Sequence, residues 1–193
     1  MQDLNKIPVS VKAGDELFRY GEKILDFGLL DFWSWSHSDL LNNTQRGVLA
    51  EFLVRQALGI TLELRADWDP YDLITENGIK IEVKSSAYIQ SWKQNNFSKV
   101  SFDIAPKRAW DSETNDFSSK ILRHSDYYVF CLLHHKDQDS IDPMNLDQWT
   151  FYVLNTQILN DYKGAQKTIS LNSLLKLNPV ECAFGEIKSS IAT

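Results

Sequence analysis

The fold is decided by residues 69–84, which read Asp-Pro-Tyr-Asp-Leu-Ile-Thr-Glu-Asn-Gly-Ile-Lys-Ile-Glu-Val-Lys. Two β-branched runs flank Glu76-Asn77-Gly78, and this pattern predicts a β-hairpin. In the second run, isoleucine and valine alternate with charged residues. Glu82 and Lys84 are therefore expected on one face of the strand, away from its aliphatic face.

The length of the hairpin loop sets the position of Asp72. A two-residue turn at Asn77-Gly78 would pair Asp72 with Val83 and direct its side chain away from Glu82. A three-residue loop over residues 76–78, with its glycine in the left-handed conformation, would place Asp72 opposite Glu82 on the same face. Asn-Gly permits both turns. We expect the three-residue loop, because only that register brings two carboxylates and an ammonium group together.

Two carboxylates beside one lysine have a chemical consequence. They repel each other when ionised, so such a pair suggests a bound cation. A site that offers a small number of hard oxygen ligands suits Mg²⁺, because this ion keeps several waters and completes its shell with substrate phosphate. Mn²⁺ would substitute for it. A lysine beside the ion can orient the attacking water and stabilise charge on the phosphate. The alternative is an ordinary ion pair on a solvated strand face, which is favoured for Glu-x-Lys alone, but Asp72 shifts the balance.

Pro70-Tyr71-Asp72 followed by Glu82-Val83-Lys84 resembles the signature of the PD-(D/E)XK nuclease superfamily, which has the restriction-endonuclease-like fold. The similarity covers roughly residues 44–156. Tyr71 separates the proline from the aspartate here, and the strand register favours Asp72 over Asp69 as the ligand. The resemblance implies a Mg²⁺ ion held by Asp72, Glu82 and the carbonyl of Val83, with Lys84 orienting the attacking water.

A helix is predicted over residues 45–58, capped by Asn43 or Thr44 and ended by Gly59. Its expected apolar stripe comprises Val48, Leu49, Phe52 and Leu53. Within it, Arg46-Gly47-x-x-Ala50-Glu51 again resembles the nuclease superfamily, in which a glutamate here often adds a metal ligand. The alternative for Glu51 is an i,i+4 surface pair with Arg55, and both interpretations stay open.

The remaining elements predict an α/β fold with a central mixed β-sheet flanked by helices. Strands are expected over residues 99–105, 126–134 and 149–155, and residues 61–65 are expected to form a strand or an extended lead into residues 68–70. The run 126–134 is nearly all apolar, as a buried central strand should be, and Cys131 is expected in the core. Ser170 can cap a short helix over residues 171–177.

Gln90 is a further candidate for the site. If the strand after Lys84 stays regular through residues 85–90, Gln90 shares the face of Glu82 and Lys84. It could then hold a water or a phosphate oxygen. A polar residue at a strand end is the alternative, and it is somewhat favoured.

The chain is expected to form one nuclease-like domain, residues 41–193, with an accessory segment, residues 1–40, packed on it. Residues 13–27 have helical character, which predicts an N-terminal helical extension. The N-terminus lacks the apolar run of a signal peptide, and the most apolar stretch, residues 24–35, is too short to span a bilayer. Two cysteines without a CxxC motif indicate reduced thiols. A cytoplasmic location and no membrane partner are therefore expected.

The charge distribution bears on the partner. The net charge of −6 argues mildly against nucleic acid, but residues 84–136 hold eight Lys and Arg against five Asp and Glu. A basic region that begins at Lys84 suits a surface facing phosphates. The candidates for phosphate contacts are Lys93, Lys99, Lys107, Arg108, Lys120, Arg123 and His124.

These features together predict a metal-dependent nuclease that hydrolyses phosphodiester bonds, with DNA as the expected substrate. Its candidate catalytic residues are Asp72, Glu82, Lys84, Glu51 and Gln90. The alternative is a nuclease-like fold without catalysis that serves as a nucleic-acid-binding or assembly module; the net acidity favours it, and the intact set of residues argues against it. The sequence does not distinguish DNA from RNA, or restriction from repair and recombination. Cutting both strands of a duplex would need a homodimer or two binding events.

Overall fold

The computed structural model describes residues 7–61, 64–65, 69–111 and 114–191. Within these residues the chain forms five α-helices and eleven β-strands. Contacts between Cα atoms divide the chain into two compact units, residues 1–40 and residues 41–193.

The first unit is a β-hairpin followed by a helix, with β1 at Leu17–Tyr20, β2 at Lys23–Gly28 and α1 at Leu29–His37. Tyr20 pairs with Lys23 across a two-residue turn in which Gly21 has a φ of +58°. The helical character predicted for residues 13–27 is therefore wrong. A glycine that takes a positive φ at no steric cost closes the hairpin, and the aromatic residues before it favour a strand. The helical part of the unit is α1, later in the chain.

The second unit contains four helices and nine strands in the described residues. The helices are α2 (Asn43–Leu58), α3 (Thr156–Lys163), α4 (Leu171–Leu175) and α5 (Ile187–Ser190). The strands are β3 (Leu73–Ile74), β4 (Lys80–Ala87), β5 (Ser101–Asp103), β6 (Lys107–Asp111), β7 (Asp116–Leu122), β8 (Tyr127–Leu133), β9 (Trp149–Asn155), β10 (Thr168–Ser170) and β11 (Val180–Cys182). Two short 3₁₀ helices lie at Leu146–Gln148 and Phe184–Glu186.

A mixed five-stranded sheet with the order β11-β9-β8-β4-β3 forms the centre of this unit. β4 and β8 are parallel over their full paired length, and the other neighbours are antiparallel. β8 lies in the middle, and six of its seven residues are buried. The predicted α/β class with a mixed sheet is confirmed, as is the buried central strand with Cys131 in the core. The strand predicted over residues 149–155 is also confirmed, as β9.

Apolar side chains pack against both faces of the sheet. Ile81 and Val83 of β4 belong to one buried cluster, together with residues of α2 and α5. Tyr128 and Phe130 of β8 belong to another, which includes Phe102 of β5. Because side chains alternate between the faces of a strand, Glu82 and Lys84 point away from the face covered by α2.

The hairpin of β3 and β4 has the predicted three-residue loop. Leu73 pairs with Ile81, and the Thr75 N–H donates to the carbonyl of Ile79 at 3.0 Å. Gly78, in the loop, has a φ of +80°, the region that favours glycine. The register that brings Asp72 towards Glu82 is thus confirmed.

The helix α2 differs from its prediction at its start and on its buried face. Asn42, rather than Asn43 or Thr44, is the N-cap, and its side chain accepts a hydrogen bond from the Thr44 N–H. The helix ends at Gly59 in the left-handed conformation, as predicted. The buried residues are Arg46, Ala50, Leu53, Val54 and Leu58. The predicted stripe is wrong at Phe52, whose 51% exposure follows from the 3.6-residue period, because Phe52 lies to one side of this buried row.

Several predicted elements are shorter than expected or absent. Residues 61–65 were predicted as a strand or an extended lead; residues 62 and 63 lie outside the described residues, and residues 61, 64 and 65 are not in a strand. β4 ends at Ala87, before Gln90, and β5 covers only part of the predicted run 99–105. The helix predicted over residues 171–177 ends at Leu175, with Ser170 as its cap.

The polar stretch after Pro106 forms a hairpin, β6 and β7, that the sequence analysis missed. Asn115 lies in the turn with a φ of +59°, a conformation in which asparagine is enriched. Lys107 pairs with Leu122 at the base of this hairpin. The hairpin therefore presents Lys107 from an element separate from the central sheet.

Candidate active site

The hairpin of β3 and β4 brings Asp72, Glu82 and Lys84 together at one edge of the sheet. Lys84 Nζ lies 2.7 Å from Glu82 Oε1 and 3.9 Å from Asp72 Oδ2. The ammonium group thus lies between two carboxylates, and all three side chains are largely buried, Glu82 the most, with 4% of its side chain exposed.

Asp72 lies directly before the first residue of the short strand β3. Its N–H donates to the Ile81 carbonyl at 3.0 Å, and its Oδ2 accepts from the Val83 N–H at 2.6 Å. The carboxylate therefore takes the place of the backbone carbonyl that a longer β3 would offer. Since the N–H and C=O of one strand residue point to the same side, the carbonyl of Val83 faces the edge where Asp72 lies.

Glu82 holds the largest number of polar contacts in the cluster. Lys84 and Lys107 both approach its Oε1, at 2.7 Å and 3.0 Å. Its Oε2 accepts from the Ser125 hydroxyl at 3.3 Å. Two cations on one buried carboxylate oxygen make this a site of concentrated charge.

The pKa values of the cluster are displaced in different directions. Burial, and then the charge of Glu82, raise the pKa of Asp72 to about 6, although Lys84 and the Val83 N–H act against the shift. Burial also acts to raise the pKa of Glu82, but Lys84 and Lys107 outweigh it, and the net pKa is lowered. Burial acts to lower the pKa of Lys84, but Glu82 and Asp72 outweigh it and raise that pKa. Mutual repulsion between the carboxylates therefore falls mainly on Asp72.

Glu51 of α2 is held by Arg65 and not by Arg55. Arg65 Nε lies 2.6 Å from Glu51 Oε2, and its Nη2 donates to Oε1 at 3.2 Å, whereas Arg55 donates to the Thr61 carbonyl. The predicted i,i+4 pair is therefore absent among the described contacts of Glu51. Glu51 and Asp72 both line a cavity of about 280 Å³. The other lining residues are Val48, Phe52, Arg55, Leu64, Arg65 and Leu73.

Gln90 is not brought to the cluster by any described contact. It is buried, and its Oε1 accepts from Arg46 Nη1 at 3.0 Å. Its Nε2 donates to the Ala87 carbonyl and the Ser98 hydroxyl, and its N–H donates to Gln94. β4 ends at Ala87, so the strand does not carry Gln90 onto the face of Glu82, and its amide satisfies polar groups of the fold.

The predicted phosphate contacts fall into four groups. Lys107 lies at the cluster, as described above. Lys93, Lys99, Arg108 and Lys120 are exposed. Arg123 is buried, and it donates to the carbonyls of Ile104 and Gln166 and to Asn160 Oδ1. The prediction of a phosphate contact for Arg123 is therefore wrong, because the fold uses its donors. His124 lies 2.8 Å from the Lys107 carbonyl through its Nε2.

Two site contacts were missed by sequence reasoning. Lys107 was predicted as a phosphate contact and not as a partner of Glu82, and Ser125 was not identified at all. Both reach Glu82 through pairings distant in sequence, and neither has a local motif that marks it. The parallel pairing of β4 with β8 places the residues just before β8 near Glu82, and no sequence signal predicts that register.

The donor set fits a hard divalent cation that keeps most of its water. In the described residues, no three side chains of His, Cys, Asp and Glu come together as a metal-binding group. The two carboxylates and the Val83 carbonyl are oxygen donors, as Mg²⁺ requires. The Lys84 ammonium between the carboxylates marks the position where positive charge is favourable.

Comparisons with known proteins place this chain in a family. A search of curated proteins finds no significant match. In the part of the chain that the structure describes, no helix has the length and apolarity needed to cross a membrane. A family model described as bacteriophage T4 endonuclease IV matches residues 29–173, which is more than half of the chain. This match supports a nuclease. The chain belongs to the bacteriophage T4 endonuclease IV family.

Proposed function

We propose that this chain is a Mg²⁺-dependent endonuclease of the PD-(D/E)XK type, which hydrolyses phosphodiester bonds in DNA. The observation that carries the proposal is the meeting of Asp72, Glu82 and Lys84 at the open edge of β4. The family match to an endonuclease supports the reaction class and, with it, a nucleic-acid substrate. The order of α2, the β3–β4 hairpin, β8 and β9 supports a restriction-endonuclease-like core.

The proposed metal ligands are the carboxylates of Asp72 and Glu82 and the carbonyl of Val83. Once bound, Mg²⁺ would polarise the scissile phosphate and lower the pKa of an attacking water. Glu51 would add a third carboxylate, directly or through water, since it lines the same cavity as Asp72. For this, Glu51 would have to exchange its contact with Arg65.

Lys84 has the central role among the side chains. Its ammonium lies between the two carboxylates, and the Lys84 side chain is 24% exposed, so the ammonium would lie beside both the metal ligands and a bound substrate. It would orient the attacking water and stabilise negative charge on the phosphate as that charge develops. The Ser125 hydroxyl, on Glu82 Oε2, would keep the glutamate in place during these steps.

The surface contacts with the nucleic-acid backbone would come from exposed basic residues. We assign this role to Lys93, Lys99 and Arg108, which are exposed. Backbone contacts of this kind position a substrate and do not read its sequence.

A second candidate function is a nucleic-acid-binding module that has the same fold and no catalysis. It is favoured by the two lysines that neutralise Glu82. It is also favoured because the described residues contain no group of three metal-binding side chains.

The test is a cleavage assay on plasmid DNA and on single-stranded and duplex oligodeoxynucleotides, with Mg²⁺ or with a chelator. The wild type is expected to cut in Mg²⁺ only, Glu82→Ala to lose cutting, and the matched variant Glu181→Ala, in β11, to retain it. Binding of DNA without cutting on any substrate would favour the binding module.

A further inference from the structure

Lys107 approaches the cluster from outside the central sheet. Its Nζ lies 3.0 Å from Glu82 Oε1, the same oxygen that Lys84 contacts. The two lysines differ in exposure: the Lys107 side chain is 43% exposed and that of Lys84 is 24% exposed. Lys107 therefore has open solvent on one side and a buried carboxylate on the other.

The backbone of Lys107 is held in the β6–β7 hairpin, while its long side chain is 43% exposed. Lys107 pairs with Leu122 at the base of the β6–β7 hairpin. Its carbonyl accepts from the ring of His124, at 2.8 Å. A lysine carries its charge on a flexible four-carbon chain. The ammonium group can therefore move several ångströms from Glu82 without a change in the fold.

The charges of the cluster balance without a metal. Asp72 and Glu82 face Lys84 and Lys107. A divalent cation bound between the carboxylates would add two positive charges and repel both ammonium groups. Lys84 also interacts with Asp72 at 3.9 Å, whereas Glu82 is the acidic partner of Lys107 in the described part of the chain. Lys107 is thus the cation that is displaced more easily.

We propose that Lys107 neutralises Glu82 in the metal-free protein and turns to hold a substrate phosphate when a divalent cation binds. This inference rests on the proposed function, and it assigns to Lys107 a substrate-positioning role controlled by the metal. Released from Glu82, the ammonium acts as a point charge for a phosphate oxygen. Metal binding and substrate binding are then coupled through this side chain.

The first test is the binding of Mn²⁺ to the whole chain without DNA, measured by calorimetry. Lys107→Met removes a competing cation from Glu82, so it is expected to bind Mn²⁺ roughly tenfold more tightly than the wild type. Lys107→Arg retains the charge and should bind like the wild type. Lys120→Met is the matched control, an exposed lysine on the same hairpin, and it should leave metal affinity unchanged. Unchanged or weaker binding in Lys107→Met would overturn the inference.

The second test is the binding of a fluorescent oligodeoxynucleotide with a chelator or with Ca²⁺, a hard cation that takes oxygen ligands. Lys107→Met should leave metal-free affinity nearly unchanged, because Lys107 is then held by Glu82, and should weaken binding roughly tenfold in Ca²⁺. A general surface contact, as in Lys120→Met, changes both affinities equally. An equal loss in Lys107→Met under both conditions would contradict the metal-controlled role.

The outcomes separate this inference from the proposed function. A wild type that binds neither Mn²⁺ nor Ca²⁺ would overturn both. A wild type that binds metal at Asp72 and Glu82 and cuts DNA, with Lys107→Met indistinguishable from Lys120→Met, would leave the proposed function in place and overturn only the role of Lys107.

Discussion

β4 and β8 lie side by side in one sheet and are used in opposite ways. β8 is paired along its whole length on both sides, and its buried residues are apolar except for the hydroxyl of Tyr128 and the thiol of Cys131. β4 is paired with β8 from Ile81 to Ala87, whereas β3 pairs with it at Lys80 and Ile81. Beyond Ile81, no strand of the described residues pairs with this edge of β4, and the Val83 N–H there donates to the carboxylate of Asp72.

The difference shows where this fold accommodates charge. The buried apolar strand β8 gives its surroundings a low polarity, and low polarity strengthens the electrostatic interactions beside it. Where β3 does not pair with β4, a backbone group of β4 meets a side chain instead, as the Val83 N–H meets the Asp72 carboxylate. Burying charges in such a place lowers stability unless each is paired, and perturbed carboxylates of this kind are typical of functional sites.

The largest effect is expected at the charged face of β4. Lys84→Met should lower DNA cleavage by at least ~10³-fold, because the side chain between the two carboxylates is lost. Lys80→Met is the matched control, since Lys80 lies on the same face of the same strand and contacts the ring of Tyr71. It should cut within about twofold of the wild type. Equal activity in both variants would remove Lys84 from the site.

The second prediction tests the packing of the buried strand β8. Phe130 is fully buried and packs on Phe102 with ring centroids 5.0 Å apart. Phe130→Ala should lower the free energy of unfolding by about 3–5 kcal/mol, because it leaves a cavity. Urea unfolding measures this loss, with Phe117→Ala, at a residue 65% exposed, as a control that should change stability by about 0.5 kcal/mol or less. A small change in the free energy of unfolding of Phe130→Ala would show that β8 is not the closely packed apolar strand described.

A smaller effect is expected just beyond the end of β4. Gln90→Ala removes a buried acceptor from Arg46 and should lower the free energy of unfolding by about 1–3 kcal/mol. Cleavage by the folded protein should stay within about twofold, as it should in the exposed control Gln138→Ala. Normal stability with a large loss of cleavage would instead return Gln90 to the catalytic set.

The smallest effect is the loss of stability caused by the ionised Asp72 carboxylate, and this loss depends on pH. The pKa of Asp72 is raised from 3.8 to about 6 in the folded chain. The folded state therefore binds more protons than the unfolded state between these values, and stability falls as pH rises through this window. Asp72→Asn, without divalent ions, should be more stable than the wild type by about 1–2 kcal/mol at pH 7 and by little at pH 4.

Urea unfolding at several pH values measures this difference. Asp69→Asn, at an exposed aspartate, serves as the control and should show no such trend. If Asp72→Asn were the less stable protein at pH 7, the carboxylate would be stabilising the fold, and the repulsion described at the edge of β4 would be wrong.

The sequence predicted the part of the site that local chemistry determines. Asn77-Gly78 and the alternation in residues 79–84 predicted a hairpin but permitted two loop lengths, and each loop length fixes a different set of paired residues. The three-residue loop was chosen because only its register brings Asp72 beside Glu82 and Lys84. The apolar run of β8 was enough to predict a buried strand. The contact between the Asp72 carboxylate and the Val83 N–H was not predicted, since it depends on where β3 begins.

Contacts between distant segments could not be predicted from the sequence. Lys107 and Ser125 reach Glu82 across separations of 25 and 43 residues, and no local pattern encodes such a contact. From the sequence, Arg123 is expected at the surface, yet it is buried, and it donates three hydrogen bonds to acceptors within the protein. The hairpin β1–β2 was mistaken for a helix because the turn at Gly21 was not recognised.

The most direct test of the central claim is calorimetric titration of Mg²⁺ or Mn²⁺ into the wild type, Asp72→Asn and Glu82→Gln at neutral pH. Glu181→Gln, at an exposed glutamate in β11, is the matched control. The wild type and the control should bind a divalent ion, and each site variant should bind it at least ~10-fold more weakly, because each loses an anionic oxygen ligand. Equal affinity in all four proteins, or no binding by the wild type, would contradict a metal site at the open edge of β4.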